Sequence, residues 1–296
     1  MKKCICCGMP MNKKNDFSQK MHSYLHHPAS LIMMILVKLA ALITFTVLIF
    51  LIIYILVHGV PYLKPSLFSL HYNSENASLM PALINTVIMT LLSLLLAVPI
   101  GIFSAIFLAE YAGKGNKFVD IIRLTTETLS GIPSIVYGLF GMLFFVSTCH
   151  WGFSLLAGAF TLAIMILPLI MRTTEEALLS VPDSYREGSF GLGAGKLRTV
   201  FYIVLPSAVP GILAGVILAI GRIVGETAAL IYTAGSVAQV PSSVLGSGRT
   251  LAVHMYLLAS EGLYMDQAYA TAVILLVLVV VINTLSGIVA KRLTKA

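Results

Sequence analysis

Six stretches of this chain are each long and apolar enough to cross a lipid hydrocarbon core, and nothing else in it constrains the fold as tightly. By hydropathy they run Leu31 to Val57, Leu83 to Leu108, Leu129 to Val146, Phe153 to Met171, Ala208 to Ile231 and Ala268 to Val289. A core of about 30 Å takes about 20 helical residues. Backbone groups in lipid must be satisfied within the segment, so helix is the conformation expected of each run. The expected fold class is therefore all-α, a polytopic membrane protein with six transmembrane helices. Charge content agrees: 10% of residues are charged and the mean hydropathy is +0.95, whereas a soluble domain is about 25% charged.

Orientation follows from the loops. With the N-terminus placed in the cytoplasm, fifteen Lys and Arg fall on that side, Arg172, Arg186, Lys196 and Arg198 among them, and only Lys64 and Arg249 on the other. By the positive-inside rule both termini are cytoplasmic. The net charge of +7 is thereby explained, which leaves no basic patch for a nucleic-acid partner. The first apolar run starts only at residue 31 and is longer than a signal h-region, so no cleavable signal peptide is expected.

Between the fourth and fifth apolar runs, Glu187 to Pro206 reads EGSFGLGAGKLRTVFYIVLP. Val181-Pro182-Asp183 is a helix start, with Pro182 near the first turn and Asp183 favoured by the helix dipole. That helix is expected to stop at Gly191, Gly193 and Gly195, whose backbone freedom suits a sharp turn. A second amphipathic helix from about Lys196 then leads through Pro206 into the fifth span. Phe190, Leu192, Leu197 and Phe201 become exposed apolar knobs with a charged rim, suited to a partner's groove; alternatively they pack back on the membrane domain. The glycines do not make a phosphate loop, since Phe190 and Leu197 stand where Gly and Ser or Thr are required.

The same stretch resembles the EAA loop of ABC importer permeases, with Glu187, Gly193, Ile203, Leu205 and Pro206 in register and Gly188 and Ser189 replacing the two alanines by other small residues. Two further stretches, LSGIPSIVYGLFG from Leu129 and GRIVGETAAL from Gly221, resemble signatures of the phosphate-specific ABC permeases, the A-type subunit more than the C-type. The resemblance covers about residues 82–290. It implies the type I ABC importer permease fold, a bacterial plasma membrane location, and a heterodimer with a C-type phosphate permease subunit. It also implies two copies of a cytoplasmic ABC ATPase docking on the Glu187 loop, and an extracytoplasmic phosphate-binding protein. ATP and Mg would sit on the ATPase, so no cofactor and no catalysis are expected of this chain.

Arg222 and Glu226 are four apart in the fifth run, hence on one helix face. Each costs roughly 2.5 to 3.5 kcal/mol at the centre of a span, so both should face the bundle interior or an aqueous path. An arginine fork suits a phosphate oxyanion; the other reading is an ion pair that locks helices. The resemblance assigns both to substrate passage, along with Thr227 of the same motif. Asn85, Ser134 and Tyr137 are neutral candidates for the path, or helix–helix glue. Arg123 and Glu127 form another i,i+4 pair. Gly211 with Gly215, and Gly221 with Gly225, are small-residue pairs suited to close helix contact.

The expected organisation is a basic tail (1–28), a first span with its outer loop (29–81), a five-helix core (82–290) carrying the coupling loop (180–206), and a basic end (291–296). Cys4, Cys6, Cys7 and three tail histidines match no standard zinc spacing, and no metal is expected. Another oxyanion, sulfate or molybdate, is the rival cargo. An intramembrane enzyme is the rival class, opposed by the lack of H-E-x-x-H and G-x-S-G patterns.

Overall fold

The computed structural model describes residues 28–73, 76–112 and 117–295, and every regular element in them is helical. The tail with its cysteines and histidines lies outside the described residues. The chain divides into two compact units, Met1–Val57 and His58–Ala296. Every described residue of the first belongs to one helix, α1 (Pro28–Gly59), whose last two residues fall in the second. Its side chains are exposed almost throughout, Leu42 at 68% for example. So long an apolar surface is untenable in water and is what a spanning helix presents to lipid.

The second unit opens with α2 (Met80–Ile106), prolonged by a π-helical turn at Phe107–Tyr111. Next come α3 (Lys117–Ser130), α4 (Ser134–Gly141) with a π turn at Met142–Thr148, and α5 (Leu155–Leu179). After the short α6 (Asp183–Gly191), α7 (Lys196–Thr199) runs through a π turn at Val200–Val204 into α8 (Leu205–Val224). The unit closes with α9 (Ala228–Ile231), α10 (Leu251–Glu261) and α11 (Met265–Lys295).

α5 is the central post, packed between α2 and α8; α11 packs against α8 and α10. The core where the first three meet holds Met89, Leu162, Ile166, Ile170 and Ile223. α2 shows the polarity inversion that lipid imposes. Its buried face carries Asn85, Thr86, Thr90 and Ser93, while Leu91 and Leu95 face outward. The Thr90 and Ser93 hydroxyls donate to carbonyls one turn back, at 2.7 and 2.8 Å, so neither is left unsatisfied. Gly215 lets α8 approach α5 closely, since a Cβ there would collide with Thr173. The second small pair makes no such contact: Gly221 meets nothing within 4 Å and Gly225 only the Gly221 carbonyl.

Two spans differ from the hydropathy reading. Among the described residues five helices are long and apolar enough to cross a membrane, and a sixth crossing exists only if α3 and α4, bent by 101°, are counted together. The expected run Leu129 to Val146 is broken at Gly131-Ile132-Pro133 because Pro133 has no N–H and disfavours α geometry at Ile132. The Tyr137 hydroxyl donates to the Leu129 carbonyl across the break at 2.8 Å. The expected helix Ala208 to Ile231 ends at Val224, and Gly225-Glu226-Thr227 is irregular. Hydropathy sees neither break, because the residues around each stay apolar. Between the fifth and sixth expected runs the chain forms the helix α10, with Leu251 to His254 and Leu258 buried.

Candidate functional site

Two parts of the second unit carry the residues singled out above. On the charged side, Pro182 precedes α6 with extended backbone, and α6 ends at Gly191. The turn that follows is closed by Gly193 N–H to the Phe190 carbonyl at 2.9 Å and Ala194 N–H to Ser189 at 3.1 Å. Gly193 takes φ +82, the left-handed region expected for it. The Ser189 and Thr199 hydroxyls, 2.8 Å apart, tie the two short helices together.

Glu187, Gly188 and Phe190 are exposed and Leu192 is 91% exposed. Leu197 and Tyr202 are 66% and 74% exposed, whereas Phe201 sits on the margin at 37%. Gly188, Ser189, Leu192, Arg198, Tyr202 and Ile203 are among the residues lining a cavity of about 310 Å³ between α6 and α7. Leu205 is half-buried and Pro206 stands exposed in the first turn of α8. The loop is anchored from beneath. Val200 and Val204 pack with Ile106, Leu178, Ala208 and Ile212.

Sequence reasoning missed the polar half of that anchor. Arg186 pairs with Glu110 at 2.6 Å and donates to the carbonyls of Leu178 and Val181 at 2.9 and 2.7 Å. The Glu110 hydrogen bond raises the Arg186 pKa above its ordinary value, burial opposing. Lys196 lies over the Tyr111 ring at 5.0 Å. An acid at the very end of a long apolar run was the available signal. Arg123 was paired with the wrong acid. It meets Glu175 of α5 at 2.6 Å, while Glu127 lies 3.7 Å from Arg172. Local spacing lost to a tertiary partner that lay on the adjacent helix.

The second part lies where the two broken spans meet. Gly138 of α4 packs directly on Ala229 of α9. Tyr137 is buried. Arg222, in the last turn of α8, lines a cavity of about 550 Å³ with Leu169, Ile217, Gly221 and Asn283. Among the described residues it has no ion-pair partner. The expected single helix face for Arg222 and Glu226 is not formed. Glu226 lies in the break, buried, and its carboxylate accepts from the Ala229 N–H at 3.1 Å, at the positive end of α9. Thr227 is the half-buried residue before α9, and Ser134 the half-buried first residue of α4.

Asn85 does not join them. It is fully buried, and its Nδ2 donates to the Gln239 and Arg249 carbonyls at 2.9 and 3.2 Å, clamping the α9–α10 connection. No group of His, Cys, Asp or Glu that would hold a metal is found among the described residues.

Residues 97–295 match the family model described as binding-protein-dependent transport system inner membrane component. The chain is 34% identical over 278 residues to the probable ABC transporter permease protein YqgI of Bacillus subtilis, covering 86% of this chain and 94% of that one. It is 39% identical over 178 residues to the phosphate transport system permease protein PstA of Haemophilus influenzae, covering 60% and 62%. Among solved structures it is similar to a chain of the MetNI methionine ABC transporter, with TM-score 0.61 and 22% identity over 73% of this chain and 96% of that one. A bacterial alginate ABC transporter gives TM-score 0.64 at 18% identity over 87% and 95%. At those identities the two structures speak for the fold alone.

Proposed function

The chain belongs to the binding-protein-dependent transport system inner membrane component family and is thus a permease subunit of an ABC importer, not an enzyme; from that premise we propose that its cargo is inorganic phosphate. The observation that carries the reading is Arg222. It is a cation that no described carboxylate neutralises, in the last turn of α8 on the wall of a cavity between α5, α8 and α11. A guanidinium so placed presents two parallel donors to a tetrahedral oxyanion. The partial relatives named as phosphate permeases support the same cargo.

In this reading the chain is the A-type subunit, paired with a C-type phosphate permease. A phosphate-binding protein delivers cargo on the extracytoplasmic side, both termini are cytoplasmic, and two ATPase copies grip the permease pair. The apolar knobs Phe190, Leu192 and Leu197 enter the ATPase surface. Closure of the ATPases is transmitted through the Arg186–Glu110 pair to α2 and α5. Tyr137, Ser134 and Thr227 line the path beside Arg222.

The test is reconstitution of this chain with its co-purifying subunits in proteoliposomes. Phosphate-loaded binding protein is expected to raise ATP hydrolysis severalfold. Stimulation by sulfate or molybdate in its place, without phosphate, would remove phosphate as the cargo and leave the permease assignment standing.

A further inference from the structure

Arg249, assigned by sequence to an outer loop, is buried: 6% of it is exposed. Its guanidinium lies over the Tyr72 ring, Cζ to centroid 4.6 Å. His254, fully buried, meets the same ring edge-on with centroids 6.1 Å apart. Arg249 Nε and Nη2, Thr250 Oγ1 and both ring nitrogens of His254 are shut from solvent without a hydrogen-bond partner. Among the described residues no carboxylate pairs with Arg249.

Such an arrangement is costly. A buried ion without a partner carries a penalty of several kcal/mol, and stacking on one aromatic ring returns about 0.5 to 2 kcal/mol. The main chain around Arg249 is nevertheless firmly tied down. The Arg249 N–H donates to Val237 at 2.9 Å, its carbonyl accepts from Asn85, and the Leu251 N–H donates to Thr86 Oγ1 at 2.8 Å.

Thr250 is the first residue before α10 and makes no side-chain capping bond, so the positive end of that helix adds to the same field. Burial, and then Arg249, push the His254 pKa down to about 3. The Ala77 backbone opposes this slightly but makes no hydrogen bond of normal geometry. The imidazole is therefore neutral at physiological pH and offers one donor and one acceptor.

We propose that Arg249, with Thr250 and His254, forms a second anion site in this chain, separate from Arg222, which takes a compact inorganic oxyanion. The fork, the hydroxyl and one imidazole N–H are donors to the anion; the remaining imidazole nitrogen accepts from a protonated oxyanion oxygen. That the anion is phosphate rests on the function proposed above, whereas the site itself does not. In the proposed orientation this end is extracytoplasmic, where the cargo arrives, so the site holds the anion before Arg222 does.

The experiment uses the purified complex of this chain with its co-purifying subunits, without binding protein and with Arg222→Gln so that the other cation is gone. Phosphate is expected to bind and to raise the melting temperature. Adding Arg249→Met should weaken binding at least tenfold and abolish the phosphate-dependent rise. Without phosphate the Arg249→Met complex should melt no lower, because an apolar stem replaces a buried unpaired charge.

Unchanged phosphate binding together with a lower melting temperature would make Arg249 a scaffold residue and overturn the proposal. An Arg249-dependent shift with sulfate or molybdate but not phosphate would support the site and overturn phosphate as cargo. If no inorganic anion produces a shift and only binding protein, added in a separate arm, does so, a partner's carboxylate enters and the proposal falls. If Arg249→Met does not assemble, Arg249→Lys takes its place. Severalfold weaker binding from loss of the fork then supports the site, and unchanged binding overturns it.

Discussion

Arg222 and Glu226 sit four residues apart yet do different work, because the helix that would have aligned them ends between them. Glu226 accepts the Ala229 N–H and Arg222 faces a cavity. A double replacement is therefore expected to rescue nothing. Glu226→Gln keeps a carbonyl oxygen for the Ala229 N–H and should reduce phosphate uptake less than about threefold, within the ~1 kcal/mol of a helix cap. Arg222→Gln should abolish uptake at matched protein level, and the double variant should match Arg222→Gln. Uptake that recovers in the double variant would show a charge pair after all.

His254 gives the second residue-scale expectation. Its folded pKa of about 3 lies below the ordinary value of 6.5, so the unfolded chain takes up a proton that the folded chain refuses. The stability held above pH 6.5 is lost as pH falls toward about 3, by up to about 1.4 kcal/mol per pH unit. His254→Gln should flatten the acid side of the melting-temperature profile between pH 6 and pH 4; an unchanged slope would locate the acid sensitivity elsewhere.

At the scale of elements, the coupling loop turns on one glycine. A Cβ at Gly193 would meet nothing within 4 Å, so only its φ of +82 opposes substitution. Gly193→Asn, which tolerates the left-handed region, should transport nearly as the native protein does. Gly193→Val should cost about 1 to 2 kcal/mol locally and turn Leu192 and Leu197 away from their partner. Assembly is expected to survive, since the loop's anchor at Val200, Val204 and Arg186 is untouched, while ATP-driven uptake falls at least fivefold. Equal uptake by the two variants would remove the loop from coupling.

For the whole molecule, the membrane orientation is the property on which every functional assignment depends. Single cysteines at Asn73→Cys and Ser243→Cys, in a background lacking the four native cysteines, are expected to react with an impermeant thiol reagent applied to intact cells. Lys196→Cys is expected to react only after permeabilisation. Labelling of Lys196→Cys from outside would invert the chain and move the ATPase surface away from the Glu187 loop.

Fold class, the α6–α7 turn and the exposed knobs around it were legible in the residues themselves. Each rests on short-range rules: apolar length against core thickness, proline at a helix start, glycine where φ is positive. Pro133 signals a kink in its span, but hydropathy does not show that the run is broken there, nor that the fifth run ends at Gly225–Thr227; the Tyr137 hydroxyl meets the Leu129 carbonyl across the first break, and the Glu226 carboxylate, within the second, meets the Ala229 N–H. Local spacing accounts for Arg172 with Glu176, but the tertiary structure decided the longer-range partners. Arg123 chose Glu175 over the nearby Glu127, Arg186 found Glu110, and Asn85 turned from the path to the α9–α10 connection. An ion or amide in a low-dielectric interior goes to whichever partner the packing brings within about 3 Å, and packing between distant segments is not written in local spacing.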